Sequence, residues 1–129
     1  MISWKQYGSF IPALIAAAGI LIASLWDMNR SLPVMPAQDK TLHIIAYAVL
    51  AITLTSACLY NKWRRWGVFV IVWGGCSVYG ALIEGLQHYC TATRMAEWMD
   101  VLADAGGALI GIIIVLCVNL LWSRNTYMT

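Results

Sequence analysis

The sequence predicts an all-α membrane protein of four transmembrane helices with both termini in the cytoplasm, and three observations lead there. Of 129 residues, 61% are hydrophobic and 11% charged, with a mean hydropathy of +0.73. A water-soluble domain averages about 25% charged residues, so most of this apolar surface has lipid as its solvent. The apolar residues fall into four runs, each long enough to cross about 30 Å of hydrocarbon, which takes roughly 20 residues at the helical rise. The basic residues, finally, are divided unequally between the two sides that those runs define. The length fits one domain, 1–129. Its composition excludes disordered, collagenous and low-complexity chains. Cys58, Cys76, Cys90 and Cys117 have no CxxC spacing, which excludes a thiol metal site or disulfide framework. A net charge of +2 without a basic stripe excludes nucleic acid as a partner.

The first span runs from about Tyr7 to Trp26, anchored by Trp4 and Tyr7 at its start and Trp26 at its end. It is longer than the apolar core of a secretory signal and no clear cleavage site follows, so it is read as a retained helix. Pro33 and Pro36 keep the next segment extended before the second span, about Leu42 to Tyr60. Tyr60, Trp63 and Trp66 mark the interface where the third span begins, about Trp66 to Glu84. Tyr89 and Trp98 flank the return into the fourth, about Val101 to Trp122, which Trp122 and Tyr127 close.

Four spans place both termini and the 61–65 loop on one side and the 27–41 and 85–100 loops on the other. Lys5, Lys62, Arg64, Arg65 and Arg124 lie on the first side, against Arg30, Lys40 and Arg94 on the second, so five against three puts the termini inside. All six acids lie on the second side. Acids carry little weight in topology and are better read as function.

The start of the second span, the end of the third and the start of the fourth therefore meet at one membrane face. They bring Asp39, Lys40 and His43, then Glu84, Gln87 and His88, then Arg94, Glu97, Asp100 and Asp104. Ionisable groups in a span are functional candidates because burying them in lipid is costly. Asp39, Lys40 and Asp100 are also near enough to helix ends to reach water.

Asp39 and His43 are four apart and share a helix face, with Tyr47 one turn deeper. A carboxylate beside an imidazole is a general-base arrangement; the plainer alternative is Asp39 as a helix cap and His43 as packing. Glu84 and His88 repeat the spacing, and the ligand types suit zinc or manganese. No HExxH is present and Lys40 and Arg94 would repel a cation, so no metal is assigned. Asp100 and Asp104 are like charges one turn apart, so a cation sits between them or one keeps its proton. Asp100, nearer the helix start, is the ionised one, and Asp104 is the proton donor or the partner of Lys40 or Arg94. Lys40 and Arg94 suit a phosphate, with charge balance as the alternative. Trp26, Tyr89 and Trp98 lie at headgroup depth. Ala103, Gly107 and Gly111 form a small-residue stripe for close contact with Ala81 and Gly85 of the third span, or with another copy in a homo-oligomer. Gly74, Gly75 and Gly80 thin the third helix, and Trp73 and Tyr79 read as packing.

The run Asp39-Lys40-Thr41-Leu42-His43-Ile44-Ile45-Ala46-Tyr47, then Glu84-x-x-Gln87, Arg94, and Asp100-Val101-Leu102-Ala103-Asp104-Ala105-Gly106-Gly107-Ala108-Leu109-Ile110-Gly111 resembles the VanZ-like family of membrane proteins. The resemblance covers about Pro36 to Val118 in three blocks in the right order. It carries over Asp39, Lys40, His43, Tyr47, Glu84, Gln87, Arg94, Asp100, Gly107 and Gly111. Asp104 stands where the family usually has Asn, and His88 and Glu97 are outside the pattern. The resemblance implies a bacterial cell-envelope setting, an association with glycopeptide (teicoplanin) resistance, and a role on lipid-linked substrates or surface polymers.

The expected protein thus sits in a bacterial-type cytoplasmic (inner) membrane with its site facing outward, acting on or binding a lipid-linked or anionic lipid headgroup. In an enzyme, His43 with Asp39 is the base, Glu84 the second acid or nucleophile, and Asp104 the proton donor. Lys40 and Arg94 clamp phosphate, and Gln87, Asp100 and Tyr47 line the substrate site. The alternatives are a non-catalytic lipid or drug binder, an oligomeric proton-coupled transporter, and an assembly factor for another membrane protein.

Overall fold

The computed structural model describes residues 4–26, 36–63, 66–90 and 97–126, and every element among them is a helix. These are α1 (Trp4–Gly8), α2 (Ile11–Trp26), α3 (Pro36–Tyr60), α4 (Trp66–Cys90) and α5 (Trp98–Thr126). Four stretches are long and apolar enough to cross a membrane: Gln6–Leu25, Gln38–Tyr60, Trp66–Tyr89 and Trp98–Ser123. The all-helical, four-span expectation holds.

The helices outrun the apolar segments that reveal them. α3 opens at Pro36 rather than Leu42, α4 continues past Glu84 to Cys90, and α5 opens at Trp98 rather than Val101. Hydropathy marks where side chains meet lipid, whereas the backbone ladder stops only where its amides find other partners. Proline suits the first helical position because its missing N–H is not needed there. Asp39 consequently lies inside the first turn of α3, which removes its reading as the helix cap. The first span is interrupted instead. A turn at Ser9 and Phe10 separates α1 from α2, closed by Phe10 N donating to Tyr7 O at 3.0 Å and Ser9 Oγ donating to Gln6 O at 2.7 Å. Pro12 falls in the first turn of α2, where its lack of a donor is harmless.

α3 ends in a Schellman pair: Trp63 N donates to Cys58 O at 2.9 Å and Lys62 N to Leu59 O at 3.0 Å. Lys62 takes the left-handed position at φ 62°, which glycine more often fills.

α3 and α5 form the central pair and share the most extensive interface. Glycine makes it close: a Cβ at Gly107 would run into the backbone of Ile44, and one at Gly111 into the Ala48 carbonyl and the Ala51 side chain. The small-residue stripe thus faces α3, not Ala81 and Gly85 of α4; Ala81 is exposed and a Cβ at Gly85 would meet open space. A small-xxx-small pattern tells which face of a helix is approached closely and is silent about which neighbour approaches it. Gly74 and Gly75 also border open space, and in α4 it is Gly80 that seats a neighbour, the Asp104 side chain. Tyr47, Leu50, Ala51, Cys58, Val72, Cys76, Ala108 and Ile112 form the core.

α2 packs on the outside of α3 and α4, with Ala13 its only buried residue among those described. Polar contacts tie this first span on: Tyr79 OH donates to Ala17 O at 2.7 Å, Gln87 Nε2 to Ser24 O at 3.1 Å, and Asn61 Nδ2 to Ser9 Oγ at 2.9 Å and to Gln6 O at 3.5 Å. The distribution of polarity is the reverse of a water-soluble fold. Leu42, Ile45, Val70, Ile71, Leu82 and Leu121 point outward, while Thr55, Glu84, Gln87, Asp100 and Asp104 are buried, as a lipid solvent requires.

Candidate functional site

The polar groups gather at one end of the bundle, where α3 and α5 begin and α4 ends. Because Gly107 lets α5 ride directly on the backbone at Ile44, Asp104, one turn earlier in α5, comes level with His43. His43 Nδ1 and Asp104 Oδ1 are 2.8 Å apart, with the imidazole largely buried and the carboxylate wholly so. With the carboxylate oxygen as acceptor, the contact places an imidazole proton on Nδ1, and in the neutral ring the lone pair is then on Nε2.

The expected orienting group, Asp39, is therefore replaced in that role by Asp104. Asp39 stays close: a carboxylate oxygen of Asp39, a ring nitrogen of His43 and a carboxylate oxygen of Asp100 all lie within 4.8 Å of one another. A spacing of four residues brings two side chains to one helix face, but a histidine there can still turn across the interface to a neighbour that packs closely.

Asp104 does not pair with Lys40. Lys40 Nζ instead lies 3.2 Å from Glu97 Oε2 at the rim, with 30% and 57% of the two side chains exposed. Exposed pairs of this kind contribute little, so Glu97→Gln is expected to change unfolding free energy by less than about 1 kcal/mol in a reversible detergent unfolding measurement. A larger loss would place Glu97 in the buried network. Arg94 lies outside the described residues.

Glu84 and Asp100 are only 5% and 6% exposed, and Asp104 is fully buried. Glu84 Oε1, Asp100 Oδ1, Asp104 Oδ2 and the Tyr47 hydroxyl find no hydrogen-bond partner among the described residues. Buried polar groups without a partner are uncommon, and four stand at this end of the bundle, against Thr55 Oγ1 and Asn61 Oδ1 elsewhere among the described residues. The second oxygen of Asp104 rests against Gly80, where a Cβ would collide with it. Below His43, the Tyr47 ring faces that of Tyr79 at a centroid distance of 6.3 Å.

Two other candidates are placed apart from this cluster. Gln87 is buried, but its amide holds Ser24 of α2. His88 is exposed and meets the Tyr89 ring edge-on at 5.4 Å, so Glu84 and His88 do not converge. Trp73 Nε1 donates to Ala105 O at 3.0 Å, which with the Tyr79 contact fits the packing roles expected of both rings. Sequence reasoning missed Glu97 as the partner of Lys40 and Gly80 as the seat of Asp104; the only signal for Gly80 was its smallness. Comparison with family models, with curated proteins and with solved structures gives no match for this chain.

Proposed function

We propose that this chain is a VanZ-like cell-envelope membrane protein whose polar bundle end acts on or holds the headgroup of a lipid-linked or anionic lipid. One observation carries the reading. Glu84, Asp100 and Asp104 are buried inside helices long and apolar enough to span a membrane, and each has a carboxylate oxygen without a donor among the described residues. Ionisable groups within spans are costly to keep, a burden that points to function. The residues behind the resemblance support it too: Asp39, Lys40, His43, Tyr47, Glu84 and Asp100 come from three helices to one end of the bundle, and Gly107 and Gly111 set the helix approach that aligns them.

An amphiphile fits better than a free sugar. A cavity of about 190 Å³, lined by Leu14, Ala17, Leu50, Leu54, Cys76 and Tyr79 among others, opens between α2, α3 and α4. Tyr79, which lines it, packs on Tyr47, one turn below His43, so an apolar slot lies near the polar end. In this reading His43, held by Asp104, is the base, Glu84 the second acid or nucleophile, and Asp100 and Tyr47 line the headgroup site. Lys40 and Arg94 contact phosphate. The membrane is a bacterial cytoplasmic membrane, both termini are inside, and the site faces outward, where an envelope lipid and a glycopeptide drug meet. A transporter built from several copies gains no support from the glycine stripe, since Gly107 and Gly111 are taken up against α3.

The test is an unbiased lipid analysis of the purified chain, wild type against Glu84→Gln. A lipid that is several-fold enriched in the variant indicates turnover. Equal retention in both makes the protein a binder, and no specific lipid in either removes the headgroup reading.

A further inference from the structure

We infer that Asp39, His43 and Asp100 bind one divalent cation of the zinc or manganese class, with Asp104 as the positioning residue behind His43. Each offers a ligand atom, and the three atoms lie within 4.8 Å of one another. Ligands around an ion at about 2.1 Å are themselves roughly 3 to 4 Å apart, so side-chain adjustments of about an ångström close the set. Two carboxylates and an imidazole neutralise a dication and match the donor preferences of zinc and manganese.

Two further features of the site point to a ligand. Asp100 contributes to the cluster, is 6% exposed, and has an oxygen that meets no donor among the described residues. A buried carboxyl of this kind is kept only when something compensates it. Asp104, for its part, holds His43 by Nδ1 at 2.8 Å. With Nδ1 engaged by Asp104, Nε2 is the nitrogen left for a metal, and a carboxylate on the other nitrogen is the usual support of a metal-bound histidine: it fixes the tautomer, aims the ring and raises the basicity of the ligating nitrogen. Such an orienting bond has little purpose if His43 only packs.

Asp39, Glu84, Asp100 and Asp104 converge here, and Lys40, the one ammonium at this end among the described residues, is engaged by Glu97 at the rim. That engagement also meets the objection that Lys40 would repel a metal. The cation stands on this geometry alone; its link to a headgroup rests on the function proposed above, and of that reading it keeps the headgroup site but not His43 as a base, since both ring nitrogens are then engaged. A dication held between Asp39 and Asp100 offsets their two charges and so lessens the repulsion that a phosphate meets at this mouth.

The test uses the full chain in lipid nanodiscs, stripped with a chelator and dialysed against Mn²⁺ or Zn²⁺, with metal content measured by elemental analysis and Mn²⁺ followed by electron paramagnetic resonance. About one ion per chain is expected, with coupling to one histidine nitrogen in the Mn²⁺ spectrum. Asp39→Asn and Asp100→Asn are each expected to weaken binding at least about tenfold, and Asp104→Asn by about 10- to 100-fold. The inference is overturned by no binding of either metal at about 1 mM, the weak end of functional sites. Bound Mn²⁺ without nitrogen coupling overturns it as well, and that measurement needs no variant to fold. Metal bound by a chain that retains no specific lipid keeps the cation and removes the headgroup, while lipid retained without metal does the reverse.

Discussion

Gly107→Ala is expected to destabilise the bundle by about 1 to 3 kcal/mol, the range for adding a methyl group where there is no room, while Gly106→Ala beside it is neutral or stabilising. The contrast comes from what each new Cβ meets. At Gly107 it meets the carbonyl oxygen, Cα and carbonyl carbon of Ile44, and at Gly106 it meets nothing within contact distance. Backbone cannot rotate aside as a side chain can, so α5 must move away from α3. Gly111→Ala should behave similarly because the Ala48 carbonyl stands in the way. The loss at Gly107 is also expected to reach the site. Ile44 adjoins His43, and the 2.8 Å contact with Asp104 depends on the helix separation that Gly107 permits. Unfolding of the purified variants in detergent, read by helical circular dichroism, gives the stability, and metal or lipid retention gives the site. A Gly107→Ala protein as stable as Gly106→Ala would mean that glycine does not set the interface.

The parts legible in the sequence are those that a lipid solvent dictates residue by residue. Four apolar runs gave four spans, and counting spans placed Asp39, His43, Glu84, Asp100 and Asp104 at one end, where α3, α4 and α5 bring them together. Partnership was less legible because it depends on how helices are rotated and how closely they approach. His43 had a carboxylate one turn away in Asp39, and the spacing offered no reason to prefer Asp104 on another helix. The stripe at Gly107 and Gly111 announced a close contact but not α3 as its partner. Lys40 could be matched with any of several acids until Glu97 was seen beside it at the rim. Gln87 looked like a site residue by its position, yet its amide reaches Ser24 on a helix 63 residues away in sequence. Helix ends were misplaced for a related reason: polar residues such as Asp39 and Asp100 continue a helix at the membrane edge without looking apolar.

Gly80→Ala is expected to release His43 without touching it. A Cβ at Gly80 would collide with Oδ2 of Asp104 and press on its Cβ and Cγ. Asp104 is fully buried, so its carboxylate yields by swinging away from His43. The hydrogen bond to Asp104 is then lost, and leaving the buried imidazole donor unsatisfied costs about 1 to 3 kcal/mol. Asp104→Leu should have the same effect by removing the acceptor. Asp104→Asn should not, because an amide oxygen can still accept from Nδ1–H. Nitrogen chemical shifts of His43 in lipid bilayers report the tautomer directly, and Nδ1–H is expected in the wild type and Asp104→Asn but depleted in the other two. A double-mutant cycle isolates the cause. In an Asp104→Ala background the carboxylate that Gly80→Ala would strike is gone, so the second substitution should cost at least about 1 kcal/mol less than it does alone. Additive costs, or an Nδ1–H signal that survives Gly80→Ala, would mean that Gly80 plays no part in holding Asp104 against His43.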